Sequence, residues 1–327
     1  MKIEQEQFPK TLLEAIKYFA NPDNALDFMI MLRWPDGKPI CPLCSSTESS
    51  FISTRRIWKC KGCKKQFTVK LGTIMEDSPI GLDKWLCAIW MIVNDKNGIS
   101  SYEVARGLGI TQKSGWFLLH RIRLAMQDGS FEKMSGQVEA DETFIGGKAR
   151  FMHKHKRVEK ITGTGGAGKV IVMGLLERHG NGNSRVRTKV VSNRDAQTLQ
   201  GEIRTHVDSG SQVMTDELTS YKGLDDYAHN VINHAEKYVN GHVHTNGIEN
   251  FWSLMKRCLK GTYVSCEPFH LFRYLDEESF RFNNRKVNDQ VRFLMASAQI
   301  VDRRLTYKKL TGKDTETLTR PDGEATI

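Results

Sequence analysis

The 327-residue sequence contains no apolar run approaching the ~20 residues that a membrane-spanning helix requires. Its longest such run, Leu86 to Val93, falls far short. Met1 to Lys10 (MKIEQEQFPK) carries no apolar signal core, so secretion is not expected and a cytoplasmic location is. Proline is scarce, at 8 residues, and the 27 glycines follow no fixed period, which excludes a collagenous or low-complexity chain. Acidic residues are in deficit: 38 Asp and Glu face 48 Lys and Arg, a net charge of +10 with a pI near 9.2. That imbalance favours a polyanionic partner and says nothing about fold. The seven cysteines, with no export signal, point to thiols or metal ligands rather than disulfides. No internal repeat is present. The length suits about two domains with a small module attached, at roughly 100–200 residues per domain.

The cysteines are unevenly placed. Cys41-x-x-Cys44 and Cys60-x-x-Cys63 lie within one short stretch, and two such knuckles can close a tetrahedral four-thiolate Zn²⁺ site with no open position. Pro42 and Gly62 suit the knuckle turns; Phe51 to Thr54, Trp58 and Phe67 to Val69 read as short ribbon strands. So small a segment cannot build an adequate core, and the metal would hold it folded. Its excess of basic residues, Arg55 and Arg56 among them, suggests a nucleic-acid surface. Cys87, Cys258 and Cys266 stand singly in apolar or helical contexts and read as packing residues.

Leu82 to Val93 reads as a buried helix. Ser100-x-x-Glu103 is a capping box opening a short helix from Tyr102 to Leu108. Gly107 and Gly109 punctuate it, and Thr111 caps a longer helix to about Met126, with Trp116, Leu119, Ile122 and Met126 on one face. Helix, Gly-containing turn, helix is a helix-turn-helix, whose second helix would enter a DNA major groove with Thr111, Gln112 and Lys113 in its first turn.

After Gly136 the periodicity changes. Gln137 to Ile145, Lys169 to Leu176 and Arg185 to Ser192 read as strands, Ala196 to His206 as a helix, and Gln212 to Thr215 as a further strand. Helices at about Gly247 to Leu259 and Pro268 to Asn283 follow. This order describes a mixed α/β sheet of ribonuclease-H type. Gly163 to Lys169 matches the phosphate-loop pattern G-x-x-x-x-G-K. Val170, however, stands where Ser or Thr is needed, and a strand follows where a helix is required. The better reading is a Gly-rich hairpin whose flanking Lys154, Lys156 and Arg157 touch a phosphate backbone. The tail from about Thr311 is polar and aperiodic, as expected of disorder.

Asp141 lies mid-strand in VEADETF, where burying an acid costs several kcal/mol unless it is paired or binds a metal. Asp216 ends another apolar strand, and Glu249 begins an amphipathic helix 33 positions later. Lys256 follows Glu249 by two helical turns, on the same face. Three carboxylates from two strands and a helix can hold two Mg²⁺ ions about 3.5–4 Å apart, the arrangement for in-line phosphodiester displacement. Asn246 is the alternative to Glu249 as third ligand.

These segments together resemble the DDE insertion-sequence transposases of bacteria and archaea, in the ISXO-like group with an N-terminal zinc ribbon. The resemblance runs over about residues 10 to 290. It is carried by Leu32-Arg33-Trp34-Pro35-Asp36-Gly37, the ribbon, Gly72 to Glu76, Glu139 to Gly147, His244-Thr245-Asn246 with Glu249 and Lys256-Arg257, Arg273 to Glu277, and Arg281 to Arg285. It implies a ribonuclease-H-like catalytic domain that uses Mg²⁺ or Mn²⁺, cleaves strands and transfers the 3′-OH into target DNA. By position Asp141, Asp216 and Glu249 match the catalytic triad, and Lys256 the basic residue after it. Double-stranded DNA (terminal inverted repeats and target), a homo-oligomer on DNA and a nucleoid-associated location are expected with it. The implied layout is an N-terminal helical segment (1–40), zinc ribbon (41–72), helix-turn-helix (80–130), catalytic domain (136–290), and a C-terminal helix with polar tail (291–327). Two other classes are compatible with parts of the chain: a DNA-binding regulator with a dead catalytic domain, and an ordinary nuclease on the same fold. The first would have lost an acid; the second would nick without joining.

Overall fold

The computed structural model describes residues 8–127, 132–147, 153–155, 157, 166, 168–179, 183–232 and 244–313. The chain divides into two units: residues up to Gln127 together with those from Val287 on, and the intervening Asp128–Lys286.

The first unit opens with α1 (Leu12–Phe19) and α2 (Pro22–Arg33), capped by the Thr11 and Asn21 side chains, with Pro22 in the first turn of α2. A three-stranded antiparallel ribbon follows: β1 (Ser49–Ile52), β2 (Ile57–Cys60) and β3 (Gln66–Phe67). Trp58 and Phe67 stack across it with centroids 5.8 Å apart, and Trp34 meets Trp58 edge-on. Then come α3 (Leu82–Asn94), α4 (Ser101–Leu108) and α5 (Gln112–Ala125). The Ser100/Glu103 capping box forms, and Gly109 closes α4 in the left-handed region at φ 59°. Gly115 is where α4 and α5 touch: a Cβ there would stand 2.9 Å from the Ser101 carbonyl oxygen.

The unit is completed from the far end of the chain. In α9 (Asp289–Ala298) the Phe293 ring packs against Phe19, Phe28 and Trp90, with centroids 5.8, 5.4 and 5.0 Å away. The sequence layout set residues 291–327 apart from the N-terminal helices. The structure instead puts α9 inside their core, because α1, α2 and α3 converge on an aromatic gap that Phe293 fills. A final single turn, α10 (Tyr307–Leu310), buries Leu310. Residues 314–327, most of the expected polar tail, lie outside the described residues.

The second unit is a five-stranded sheet in the order β6-β5-β4-β7-β8. It comprises β4 (Gln137–Ile145), β5 (Val170–Arg178), β6 (Arg185–Val191), β7 (Gln212–Thr215) and β8 (Ala228–Val231). The first three pair antiparallel; β7 and β8 join in parallel to β4. Three antiparallel strands extended by two parallel ones, with helices on both faces, is the ribonuclease-H arrangement anticipated from the sequence. One face packs Val138, Ala140, Met173 and Leu175 against Leu199 and Ile203 of α6 (Ala196–His206). The other packs Val172, Leu176 and Val186 against α7 (Asn246–Gly261) and α8 (Leu271–Asn283). The apolar run of β5 is covered on both sides, as its composition demands. β8 was not foreseen: AHNV is a short edge strand with two exposed residues and no apolar alternation.

The polar end of α8 does structural work. Asn283 accepts from the Val186 N–H at 2.7 Å and donates to the Val186 carbonyl at 3.0 Å, satisfying the outer edge of β6. Buried Arg281 is held by Glu277 and Glu278. Among the described residues no helix is long and apolar enough to cross a membrane.

Replacing Phe293 by Ala should cost the first unit about 3–5 kcal/mol, the usual price of emptying a buried aromatic site. A chain ending at Lys286 should lose that unit's cooperative transition. Calorimetric scans that resolve the two units would show both effects, with the second unit's transition unmoved.

Candidate functional site

The parallel pairing of β4 with β7 places the first two acids. Gln137, Val138 and Glu139 sit opposite Gln212, Val213 and Met214, and the same register continued two residues sets Asp141 beside Asp216. Neighbouring strands lie about 4.8 Å apart, and residues in parallel register share a face. The electrostatics agree. Burial lifts the Asp141 carboxyl to about 7, and the neighbouring negative charges of Glu142 and Asp216 push it the same way. Burial likewise raises Glu142, whose carboxylate accepts from the Tyr221 hydroxyl at 2.9 Å and lies 3.4 Å from the Arg194 guanidinium. Asp216 turns the chain after β7, accepting from the Leu218 N–H at 3.0 Å.

Helix α7 is pinned to β4 at two points. The Ile248 N–H donates to Glu139 Oε2 at 2.8 Å, and the Trp252 indole N–H donates to Asp141 Oδ2 at 2.9 Å. Four helical residues advance about 6 Å and two strand residues about 6.6 Å, so helix and strand run side by side in matched steps. Continuing the sequence 248, 252 leads to Lys256, which does feel Asp141: that charge opposes the downward shift which partial burial imposes on the ammonium. Two glycines make the approach possible. A Cβ on Gly174, the partner of Asp141 on β5, would lie 2.5 Å from the Trp252 ring, and one on Gly247 would lie 2.9 Å from the Glu139 carboxylate.

Glu139 is buried and ion-paired with Arg178 at 2.6 Å, and Arg178 also reaches His244 just before the helix. It thus satisfies an N–H of the first turn of α7, which otherwise has no acceptor within its own helix. Glu249 itself is exposed in that first turn and accepts from the Thr245 hydroxyl at 3.0 Å. The structure therefore brings Asp216 and Lys256 each within electrostatic reach of Asp141. It sets Glu249 on the helical face that carries Trp252 and Lys256, without drawing the three carboxylates as close as the cysteine quartet described below. Asn246, also exposed, is the first residue of the helix. The sequence reading missed Glu139, Gly174, Tyr221 and Trp252. Only the burial implied for Glu139, an acid on the apolar-flanked strand of Asp141, could have signalled it.

The four ribbon cysteines converge with all their sulfurs within 4.8 Å of one another. Cys41 and Cys63 stand 3.8 Å apart and Cys44 and Cys60 3.5 Å. Four sulfurs at ~2.3 Å around a tetrahedral Zn²⁺ are separated by about 3.8 Å, so the quartet fits that ion and is too open for disulfides. The backbone N–H groups of Cys63 and Gly62 help bring the Cys60 thiol down to about 6, while burial raises Cys41 to about 11.

In the helix-turn-helix, Thr111 is the N-cap of α5 and Gln112 donates to the Ser101 hydroxyl at 2.9 Å; Thr111 and Lys113 are exposed. From Leu118 to Arg123 every residue of α5 is buried, whereas its beginning, Gln112 to Ser114, is open to a partner. Arg56 is engaged by Asp23 at 2.9 Å, an exposed pair of little energetic weight, and Arg55 donates to Gln66 at 3.3 Å. Lys154 and Arg157 are exposed; Lys156 and most of the Gly-rich hairpin lie outside the described residues.

Residues 133–283 match the ISXO2-like transposase domain, and residues 20–66 match the transposase zinc-ribbon domain. An uncharacterised transposase-like protein of Haemophilus influenzae is 40% identical over 113 residues, which are 34% of this chain and 90% of that protein. The chain belongs to the ISXO2-like transposases. An uncharacterised protein of transposable element ISH50 from Halobacterium salinarum is 25% identical over 257 residues, spanning 75% of this chain and 85% of its own length. No solved structure matches significantly. A transposase domain of this family is that of a polynucleotidyl-transferase-type enzyme with a DNA substrate, and the ribbon match accords with structural zinc on Cys41, Cys44, Cys60 and Cys63.

Two outcomes follow from these sites. Elemental analysis should find one tightly held Zn²⁺ per chain, and Cys60→Ser should release it and unfold the ribbon while the second unit's transition stays in place. Asp141, in turn, keeps its proton in the metal-free fold up to about pH 7, whereas the unfolded chain gives it up near pH 4. Between those values the folded state binds more protons, so stability without divalent metal should fall as pH rises from about 4 to 7. Melting curves in chelator should show that decline, and Asp141→Asn should flatten it and raise the melting temperature at neutral pH.

Proposed function

We propose that this transposase binds the ends of its insertion sequence, cleaves DNA strands and joins the freed 3′-OH ends to target DNA at a single site built on Asp141, Asp216 and Glu249. The observation that carries this reading is that Asp216, just beyond the parallel pairing of β7 with β4, lies within electrostatic reach of Asp141, where burial and like charge leave the carboxylates short of a counter-charge. Such a donor set fits hard divalent cations. Asp141, Asp216 and Glu249 would hold two Mg²⁺ or Mn²⁺ ions, which supply activation of the attacking oxygen and stabilisation of the leaving one.

The chain's own residues account for the rest. Trp252 orients Asp141 through its indole N–H, which donates to the Oδ2 oxygen. Lys256, half-buried beside Asp141, lies where a DNA phosphate approaching the acids would meet a cation. Tyr221 and Arg194 hold Glu142 against the opposite side of β4, which keeps a fourth negative charge in place without exposing it. End recognition falls to the ribbon and the first turn of α5 in the N-terminal unit. A homo-oligomer assembled on DNA would serve two ends at once.

Asp216→Asn preserves shape and removes charge. It should lower cleavage and strand joining together by several orders of magnitude, with duplex binding nearly unchanged, in assays on oligonucleotides carrying the DNA that flanks the gene. Wild-type rates for that variant would overturn the assignment. Activity retained by Glu249→Gln but lost in Asn246→Ala would move only the third ligand.

A further inference from the structure

The segment Arg303 to Lys313 (RRLTYKKLTGK) carries five basic residues and no acid. It is tied to both ends of α5. The Arg303 guanidinium donates to the Leu124 carbonyl and reaches that of Gln127 at 3.5 Å, at the helix C-terminus, where a cation also meets the negative end of the helix dipole. Four residues on, the Tyr307 ring meets Phe117 edge-on with centroids 5.6 Å apart, and Lys113 Nζ lies 5.1 Å from its centre.

The distances are consistent with a chain laid back along the helix. From Leu124 to Lys113 is about 16 Å of helix, and four extended residues from Arg303 to Tyr307 span about 13–14 Å. The segment thus runs against the direction of α5 and delivers α10 beside its first turn, where Lys113 is exposed. Thr306 caps α10, accepting from the Lys309 N–H at 3.2 Å, and fully buried Leu310 anchors it. Lys308 and Lys313 remain exposed, as does Lys113. Among the described residues these three enter no ion pair, whereas neighbouring Arg304 is neutralised by Glu76 and Asp77.

We propose that α10 and the first turn of α5 form one continuous surface for the DNA backbone, on which Lys113, Lys308 and Lys313 contact phosphates of the duplex that α5 reads. This rests on the assignment of α5 as the DNA-reading helix. Its content is that the far C-terminal segment, 190 or so residues away in sequence, belongs to the same footprint. Each lysine neutralising a phosphate releases condensed counterions and adds about 0.9 to the slope of log affinity against log salt.

The full-length protein should be titrated onto a random-sequence duplex of about 25 base pairs across a salt series. Lys308→Ala with Lys313→Ala should weaken binding several-fold at low salt and reduce the slope by roughly two, without moving either thermal transition. Tyr307→Ala should weaken binding similarly although it removes no charge, because it undocks α10 from α5. Lys113→Ala should reduce the slope by about one. If Lys113→Ala acts and the double lysine variant does not, the C-terminal surface is overturned and α5 keeps its role. If none of the three variants changes affinity or slope, the assignment of α5 falls and this proposal falls with it.

Discussion

Putting like-charged carboxylates into the half-buried middle of a sheet is the constraint around which the second unit is arranged. An uncompensated buried charge costs several kcal/mol, and here the parallel register of β4 and β7 sets two acids side by side while Glu142 adds a third charge. The fold answers with single donors from different directions: an indole N–H for Asp141, a phenol and a guanidinium for Glu142, a backbone N–H for Asp216. Only the Arg194 guanidinium among them carries a charge, one against three carboxylates. A site left deficient in positive charge by its own protein is a site suited to cations, and that deficit is what supports the proposed metal-dependent chemistry.

The same constraint explains why α7 must be held so firmly. Glu249 and Lys256, the acid and the lysine of the proposed site, ride on a helix, and a helix slides unless its end is fixed. Glu139 and Asp141, two residues apart on one strand face, take hold of α7 one turn apart, and Gly174 and Gly247 let the surfaces close. The buried ion pair of Glu139 with Arg178 is better understood as a means of setting position than as a source of stability, since replacing such pairs by apolar residues is often neutral or favourable.

The first unit solves a different problem. Its ribbon is too small to fold by burial alone, and its cysteines stand at the separation a tetrahedral ion requires. Its helices enclose an aromatic gap that Phe293 of the returning chain end fills. The N- and C-terminal parts of the chain are therefore one folding unit, although the whole of the second unit lies between them in sequence.

Local signals in the sequence were enough for most of the elements and for the chemistry-bearing residue types. Capping residues, apolar alternation in β4 and the double knuckle act over a few residues, and they placed α4, α5, β4 and the zinc quartet within a residue or two of where they lie. That Asp141 lies on a strand, Asp216 just after one, and Glu249 and Lys256 on a helix was legible for the same reason. What sequence could not determine depends on register and on contacts between distant segments: that Asp216 comes within electrostatic reach of Asp141, that Trp252 and Glu139 fasten α7, that Phe293 completes the core of Phe19, Phe28 and Trp90, that β8 extends the sheet. β8 has no alternation to read, Trp252 looks like any core aromatic, and Phe293 looks like any apolar helix residue. Each acquires its role only from the surface it meets, because hydrogen bonding and close packing act over a few ångströms in space, and only the tertiary fold decides which residues come that near.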